Sequence, residues 1–242
     1  MISRYWTVLA LLAGWQLHSS FSGLNRIVVP GPVSVFADVA VNIGVYLPDL
    51  AWTLGTAGAG LVVGMALGTA LAVAVWSSRV LSGMMTPVAL IMRSVPVVAM
   101  IPVLARVFGY SWTTVLVITS VVSFFPAFVL VAARLRDAPP ATSDLMAVLG
   151  ASRATLLRRL LLPHAVPGLL VAFRLTASTA VLGAMLAEYL MGGRGLGTLF
   201  AQSISFYQVD RAWGTALVAT VVSVACFVAA RAVERWGVAR FT

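Results

Sequence analysis

Very few side chains in this sequence could carry acid–base, nucleophilic or metal chemistry. The 242 residues include two histidines, His18 and His164, and one cysteine, Cys226. The histidines are far apart, and the cysteine lies in an apolar run typical of an inert thiol. There is no H-E-x-x-H motif, and the G-x-S segments at Gly109 and Gly150 lack the closing glycine of a serine-nucleophile motif. We therefore expect no metal site, no catalytic residue and no enzymatic activity in this chain.

A P-loop nucleotide site is also excluded by residue type. All 16 basic residues are arginines, and the P-loop motif G-x-x-x-x-G-K-[ST] requires a lysine. The stretch GGRGLG at 192–197 is superficially similar to a dinucleotide-binding loop, but it follows an apolar run of membrane-span length instead of a strand. We expect a flexible outer turn there, and no cofactor bound by this chain.

The composition is typical of a membrane protein. Hydrophobic residues make up 61% of the chain and charged residues only 10%, whereas soluble domains carry about 25% charged residues. A net charge of +9 could indicate a nucleic-acid partner. Because the arginines are spread along the chain and are not clustered on a soluble domain, we expect no nucleic-acid binding.

Apolar runs predict about six transmembrane helices, since roughly 20 residues cross a bilayer as a helix. The runs lie at about 5–21, 52–76, 84–106, 112–133, 164–187 and 212–233. The first also resembles a secretory signal peptide, but Trp6 and Trp15 bracket it like interfacial anchors of a retained helix. Val33–Val45 predicts an amphipathic helix at the outer interface. We expect an all-α membrane protein with a single domain over residues 1–242.

Arginine placement predicts the orientation, because cytoplasmic loops are enriched in basic residues. With the N-terminus inside, ten arginines lie on the cytoplasmic side: Arg4, Arg79, Arg134, Arg136, Arg153, Arg158, Arg159, Arg231, Arg235 and Arg240. Four lie outside: Arg26, Arg106, Arg194 and Arg211. Both termini, and the polar segment 144–164, are therefore expected in the cytoplasm of a cell that carries this protein in its plasma membrane.

Four residues are candidates for lining a transport pathway: Arg93, Pro96, Arg174 and Glu188. A lone cation at membrane depth costs at least about 3 kcal/mol, so Arg93 and Arg174 should face a partner, carbonyl groups or water. Pro96 is one of several prolines that kink the predicted third span. The alternative is structural: a paired or snorkelling arginine, and a Glu188 that is solvated at the outer end of the fifth span.

Small residues recur every four positions in the second span, at Gly60, Gly64, Gly68 and Ala72. Such a face lets another helix approach closely. The partner helix could belong to the same subunit or to a second one.

The segment DLMAVLGASRATLLRRLLLPH, residues 144–164, predicts two short cytoplasmic helices. Gly150 fits the end of the first helix and Ser152 can cap the second. In the second helix Leu156, Leu157, Leu160 and Leu161 share a face bordered by Arg153, Arg158 and Arg159, and Pro163 fixes the start of the fifth span. This rigid apolar wedge could dock into a cytosolic partner or lie on anionic headgroups; the residues alone leave both open.

This segment resembles the EAA loop of permease subunits in binding-protein-dependent ATP-binding-cassette importers. In that pattern a glycine follows E-A-A after three residues, and I-x-L-P follows nine residues later. Gly150, Leu160, Leu162 and Pro163 match at the right spacing, while Asp144, Leu145 and Met146 stand where E-A-A would. The stretches 28–39, 92–109 and 193–213 are similar to segments of nitrate, sulfonate and taurine permeases, in the same order.

The resemblance implies a type I importer permease fold and a set of partners. Two permease copies, most simply a homodimer, would form the pathway in the lipid bilayer, and two ATPase subunits would bind ATP and Mg²⁺ beneath them. Asp144–Leu162 would contact the ATPase, with the four leucines filling its groove and the arginines meeting acidic rims. Paired aspartates at Leu157 and Leu161 would then uncouple the ATPase without preventing membrane insertion.

A solute-binding protein would deliver the cargo outside the cell. The resemblance allows an anion such as a sulfonate or nitrate, or a vitamin precursor, as the cargo. A secondary transporter or channel that needs no ATPase is the alternative function.

Overall fold

The computed structural model describes residues 2–21, 29–78, 80–85 and 96–241, and the regular structure within these ranges is all helical. The first half of the chain contains α1 (Ile2–Phe21), α2 (Pro32–Val41), α3 (Ile43–Ser77) and α4 (Val97–Phe108). The second half contains α5 (Trp112–Arg136), α6 (Pro140–Val148), α7 (Arg153–Leu156), α8 (Leu162–Met191), α9 (Leu196–Ser205) and α10 (Val209–Phe241). Residues 80–85 are also helical.

Four helices in the described ranges are long and apolar enough to cross a membrane: Ile43–Ser77, Trp112–Arg136, Arg153–Met191 and Val209–Arg240. They confirm the predicted spans at 52–76, 112–133, 164–187 and 212–233. Each is longer than predicted, because a helix continues past the hydrocarbon until the sequence ends it: the 35 residues of α3 cover about 52 Å, against a hydrocarbon core of about 30 Å. The predicted span 5–21 corresponds to α1, which is not among these four. The predicted span 84–106 lies partly outside the described residues.

The glycine stripe of α3 packs against α5 of the same chain. A Cβ atom added at Gly64 would lie 2.2 Å from the carbonyl oxygen of Ser120, and one added at Gly68 would lie 2.4 Å from that of Phe124. At Gly60 it would overlap the side chain of Thr119. The stripe therefore serves helix contact within one subunit. The backbones of α3 and α5 approach so closely there that no side chain would fit at these glycines.

Two further helix contacts complete the core: α5 also packs on α8, and α8 packs on α10. At the ends of α3, α5 and α8 next to the connection between α5 and α8, seven buried residues form a cluster, here named the inner cluster: Ala72, Val75, Phe128, Val131, Leu135, Leu161 and Ala165. The inner cluster anchors the segment that connects α5 to α8.

The predicted outer helix is observed as α2, and it is attached to the core at both ends. Asp38 accepts hydrogen bonds from Tyr46 and from Asn42 Nδ2 (2.8 Å), and its carboxylate lies 3.6 Å from Arg211 Nη2 of α10. Val35 is fully buried. The helix thus packs on α10 as part of the fold.

The C-terminal half of α1 contacts the same outer region. Trp15 Nε1 donates a hydrogen bond to the carbonyl oxygen of Pro30 (3.0 Å), and its ring stacks on Trp213 at a centroid distance of 5.4 Å.

Candidate functional site

The segment that connects α5 to α8 begins with α6, which ends just before Gly150, as the sequence predicts. Gly150 has φ +72°, in the left-handed region that glycine adopts without strain. Its N–H donates to the carbonyl of Ala147, and the N–H of Ala151 donates to that of Met146, both at 3.0 Å. These two bonds form a Schellman motif, which satisfies the last carbonyls of α6 and fixes the direction of the chain after it.

The second short helix starts at its predicted cap. Ser152 Oγ accepts a hydrogen bond from the backbone N–H of Thr155 (3.2 Å), as an N-cap side chain does. Both ends of the turn between α6 and α7 are therefore held by hydrogen bonds, so the two helices keep a defined angle to each other.

The start of the fifth span differs from the prediction. The α-helical part does begin at Leu162 with Pro163 in its first turn, but the residues before it are helical as well. Leu157–Leu161 form a π-helical turn, in which Leu162 N–H donates to the carbonyl of Leu157, so Arg153–Met191 is one continuous helix of 39 residues. A π turn widens the helix where the proline ring would otherwise press on the carbonyl of Arg159.

The leucine face is turned partly toward the chain itself, so Leu161 is not available to fill a groove of another protein. Leu161 is only 3% exposed and belongs to the inner cluster. Leu156, Leu157 and Leu160 are partly buried against the same cluster, and their contact with another protein stays a prediction. The face packs on the ends of α3 and α5 that form the inner cluster, and aspartate at Leu161 would disrupt the core as well as any docking.

A different apolar face is left uncovered, on α6. Leu145, Val148 and Leu149 are 58%, 85% and 73% exposed, and α6 has no buried residue. The spacing i, i+3, i+4 places all three on one side of the helix. Sequence reasoning missed Val148 and Leu149, although the uninterrupted apolar run at 145–149 contained the signal.

Charged residues of the same segment are also exposed. Arg153, Arg158 and Arg159 are exposed, as is Asp144, while Met146 is half-buried. The segment therefore presents an exposed apolar face and, next to it in the sequence, three exposed arginines.

Arg174, a candidate for the pathway, forms an ion pair within the chain. Its Nε lies 3.1 Å from Oε2 of Glu234 on α10. The pairing is the structural alternative considered above, and it neutralises the cation at membrane depth. Pro96 directly precedes α4, where its missing N–H costs no helical bond. Arg93 lies outside the described residues, as do Arg26 and Arg79.

Glu188 is buried, and the alternative of a solvated residue at the end of the fifth span is wrong. It is 1% exposed. Its Oε2 accepts hydrogen bonds from Thr53 Oγ1 (2.8 Å) and from the N–H of Gly197 (3.1 Å), in the first turn of α9. Thr53 Oγ1 in turn accepts from the N–H of Leu196 (2.9 Å). A carboxylate at this position satisfies the free N–H groups of α9 and complements the positive end of its dipole.

The outer GGRGLG turn is built around this carboxylate, so the expectation of a flexible turn is also wrong. Gly195 has φ +115°, and a Cβ atom there would lie 2.3 Å from the Glu188 carboxyl carbon. Its N–H donates to Asp49 Oδ1 (3.2 Å). At Gly197 an added Cβ would lie 1.9 Å from the carbonyl oxygen of Met185. The glycines let the backbone close over Glu188.

We expect Glu188→Ala to destabilise the protein by about 3 kcal/mol, because Thr53 Oγ1–H and the N–H of Gly197 would be buried without an acceptor. Glu188→Gln keeps an acceptor oxygen and should cost less than about 1 kcal/mol. Thermal unfolding of the two variants in detergent, followed by tryptophan fluorescence, measures the difference. Wild-type stability in Glu188→Ala combined with lost transport would instead make Glu188 a pathway residue.

The comparisons with known proteins agree with this architecture. Residues 60–241 match the family described as "Binding-protein-dependent transport system inner membrane component". The chain is 24% identical over 228 residues to the formylaminopyrimidine transport permease protein of Halalkalibacterium halodurans, covering 93% of this chain and 90% of that protein. It is 22% identical over 215 residues to the putative aliphatic sulfonates transport permease protein of Bacillus subtilis, covering 88% and 78%.

A solved structure shares the fold. The superposition on a chain of the inward-facing MetNI methionine ABC transporter has a TM-score of 0.66, with 21% identity, and covers 77% of this chain and 93% of that one. Three quarters of the chain lies inside the family match, and its fold is that of a type I importer permease. The chain therefore belongs to the binding-protein-dependent inner membrane components and is the permease of an ABC importer, not a secondary transporter or channel.

Proposed function

We propose that the exposed face of α6, Leu145, Val148 and Leu149, is the surface through which this permease receives the movement of a separate ATPase subunit. A large exposed apolar patch on the aqueous side of a membrane protein calls for a partner that covers it. The three exposed arginines next to it in the sequence suit an acidic rim on that partner. The single observation that carries the proposal is the 85% exposure of Val148, on a helix that touches little of its own chain.

The connection from α6 to the membrane is stiff enough for this role. The Schellman motif at Gly150 and the cap at Ser152 hold the turn, and the inner cluster holds Leu161. From there Arg153–Met191 continues as one helix across the membrane to Glu188. A displacement of α6 would therefore be transmitted along α8 to the outer turn, and would not be absorbed at a loose hinge.

The remaining parts of the proposal rest on family membership. A second permease copy completes the pathway, a solute-binding protein docks outside, and both termini lie in the cytoplasm with ATP and Mg²⁺ bound by the ATPase alone. The cargo is a small nutrient. Relatives are named for a formylaminopyrimidine and for aliphatic sulfonates, and because Arg174 is paired with Glu234, it gives no reason to favour an anion.

A photo-crosslinking residue placed at Val148 tests the docking surface in membranes of the source cell. We expect a crosslink to a polypeptide that peptide mass spectrometry identifies as a P-loop ATPase. The same probe at Ala147, on the opposite side of α6, should give little of this product. Crosslinking of Val148 to lipid alone would contradict the proposal, because the segment would then lie on headgroups.

A further inference from the structure

A charged crevice lies between α8 and α10. It has a volume of about 420 Å³ and is lined by Arg174, Arg231, Glu234, Arg235, Val238 and Ala239. The ion pair between Arg174 and Glu234 forms one wall. At its cytoplasmic end, a Cβ added at Gly237 would lie 2.4 Å from Leu170 Cδ1, so the two helices close tightly below it.

The crevice carries an excess of positive charge. Arg174 and Glu234 neutralise each other, and among the described residues no carboxylate pairs with Arg231 or Arg235, which are exposed. Spacing i, i+4 places these two arginines one above the other on α10. Two guanidinium groups at the mouth of one crevice form a fork that matches the oxygens of a phosphate.

The position of the two arginines on α10 indicates what they face. Val221, Val224 and Val228 are all more than half exposed, and the alternating steps of three and four residues continue to Arg231 and Arg235. One face of the helix thus changes from apolar to basic within a turn. Trp236 follows Arg235 directly and is 65% exposed, and the guanidinium carbon of Arg240 lies 4.7 Å from the centre of its ring. Exposed tryptophan and arginine together mark the depth of the lipid headgroups.

We propose that this crevice binds the phosphate headgroup of an anionic lipid from the cytoplasmic leaflet. Arg231 and Arg235 hold the phosphate oxygens, and the acyl chains lie along the valine stripe. The stripe distinguishes a lipid from free phosphate as the occupant, since an inorganic anion would gain nothing from an apolar face that continues from its site. The Arg174–Glu234 pair closes the back of the crevice and keeps its shape.

Titration of phosphatidylglycerol into the full-length permease in neutral detergent, followed by native mass spectrometry, tests the proposal. We expect Arg231→Gln/Arg235→Gln to weaken lipid binding about 30-fold, equivalent to about 2 kcal/mol at about 1 kcal/mol for each arginine. The control is Arg153→Gln/Arg159→Gln, which removes the same charge from the same side of the membrane but away from the crevice. It should retain the wild-type affinity.

Three outcomes would overturn the proposal. Equal losses in the two double variants would mean diffuse attraction to the cytoplasmic face. If millimolar inorganic phosphate displaces phosphatidylglycerol from the permease, the crevice is a site for free anions. If Arg231→Gln/Arg235→Gln changes the oligomeric mass of the permease but not its affinity for the lipid, the valine face is a contact between permease copies.

Discussion

Substituting Val148→Asp together with Leu149→Asp should reduce substrate-stimulated ATP hydrolysis and uptake by the assembled transporter at least about 100-fold. Each aspartate would have to be buried without a partner in the ATPase groove, and an unpaired buried charge costs several kcal/mol; 100-fold corresponds to about 2.7 kcal/mol. Because α6 has no buried residue, the fold should be unaffected. Uptake and hydrolysis in proteoliposomes, and thermal unfolding of the permease alone, give the two measurements.

The matched control for this prediction is Ser143→Asp with Ala147→Asp, which adds the same charge to the other side of α6. We expect this variant to couple nearly as well as the wild type. If both double variants transport normally, the exposed face is not the docking surface. If both lose transport and thermal stability together, the effect lies in the fold of α6 and not in its contact.

Gly64→Leu should prevent the permease from folding stably, with a loss of at least about 4 kcal/mol, in the range of the most damaging single substitutions. The first atom of any side chain would already lie 2.2 Å from the Ser120 carbonyl oxygen and 2.8 Å from Ser123 Cβ. Relief requires α3 and α5 to move apart, which loses the close packing along their contact. Yield of monodisperse protein in detergent and the thermal midpoint measure the loss.

Gly55→Leu is the control on the same helix, because a Cβ atom there has nothing within 4 Å. It should leave the thermal midpoint unchanged or raise it, since leucine forms helix better than glycine by up to about 1 kcal/mol. Gly64→Ala should be intermediate. A Gly64→Leu protein as stable as Gly55→Leu would show that the two helices do not approach as closely as described.

The segment 144–164 shows which features a sequence pattern can predict. The glycine end and the serine cap are local, because each bond joins residues at most five positions apart, and both were predicted. Which leucines are covered was not. The apolar face of Leu156–Leu161 and that of Leu145–Leu149 look alike in the sequence. Only the position of α3 and α5 shows that the first face packs against the chain and the second is exposed.

The charged residues of the membrane region show the same division. Arg174 was expected to face a partner, carbonyl groups or water at membrane depth. Its partner Glu234 is 60 positions later and could have been any of several carboxylates. For Glu188, solvation at the end of an apolar run was the alternative to a pathway role. Its burial depends on Thr53 and Gly197 meeting it, from α3 and α9, and no local pattern predicts that meeting.

By itself the sequence determined the membrane class, the four confirmed spans and the turn at Gly150 to Ser152. These follow from composition, from periodicity and from hydrogen bonds between near neighbours, all of which the chain carries before it folds. The importer family was indicated by the resemblance of several motifs, and the orientation stays a prediction from the arginines. Only the tertiary structure decided which helix fills the glycine stripe, which apolar face stays exposed and which carboxylate neutralises Arg174. Each of those depends on surfaces distant in sequence coming together, and burial is a property of the pair, not of either residue alone.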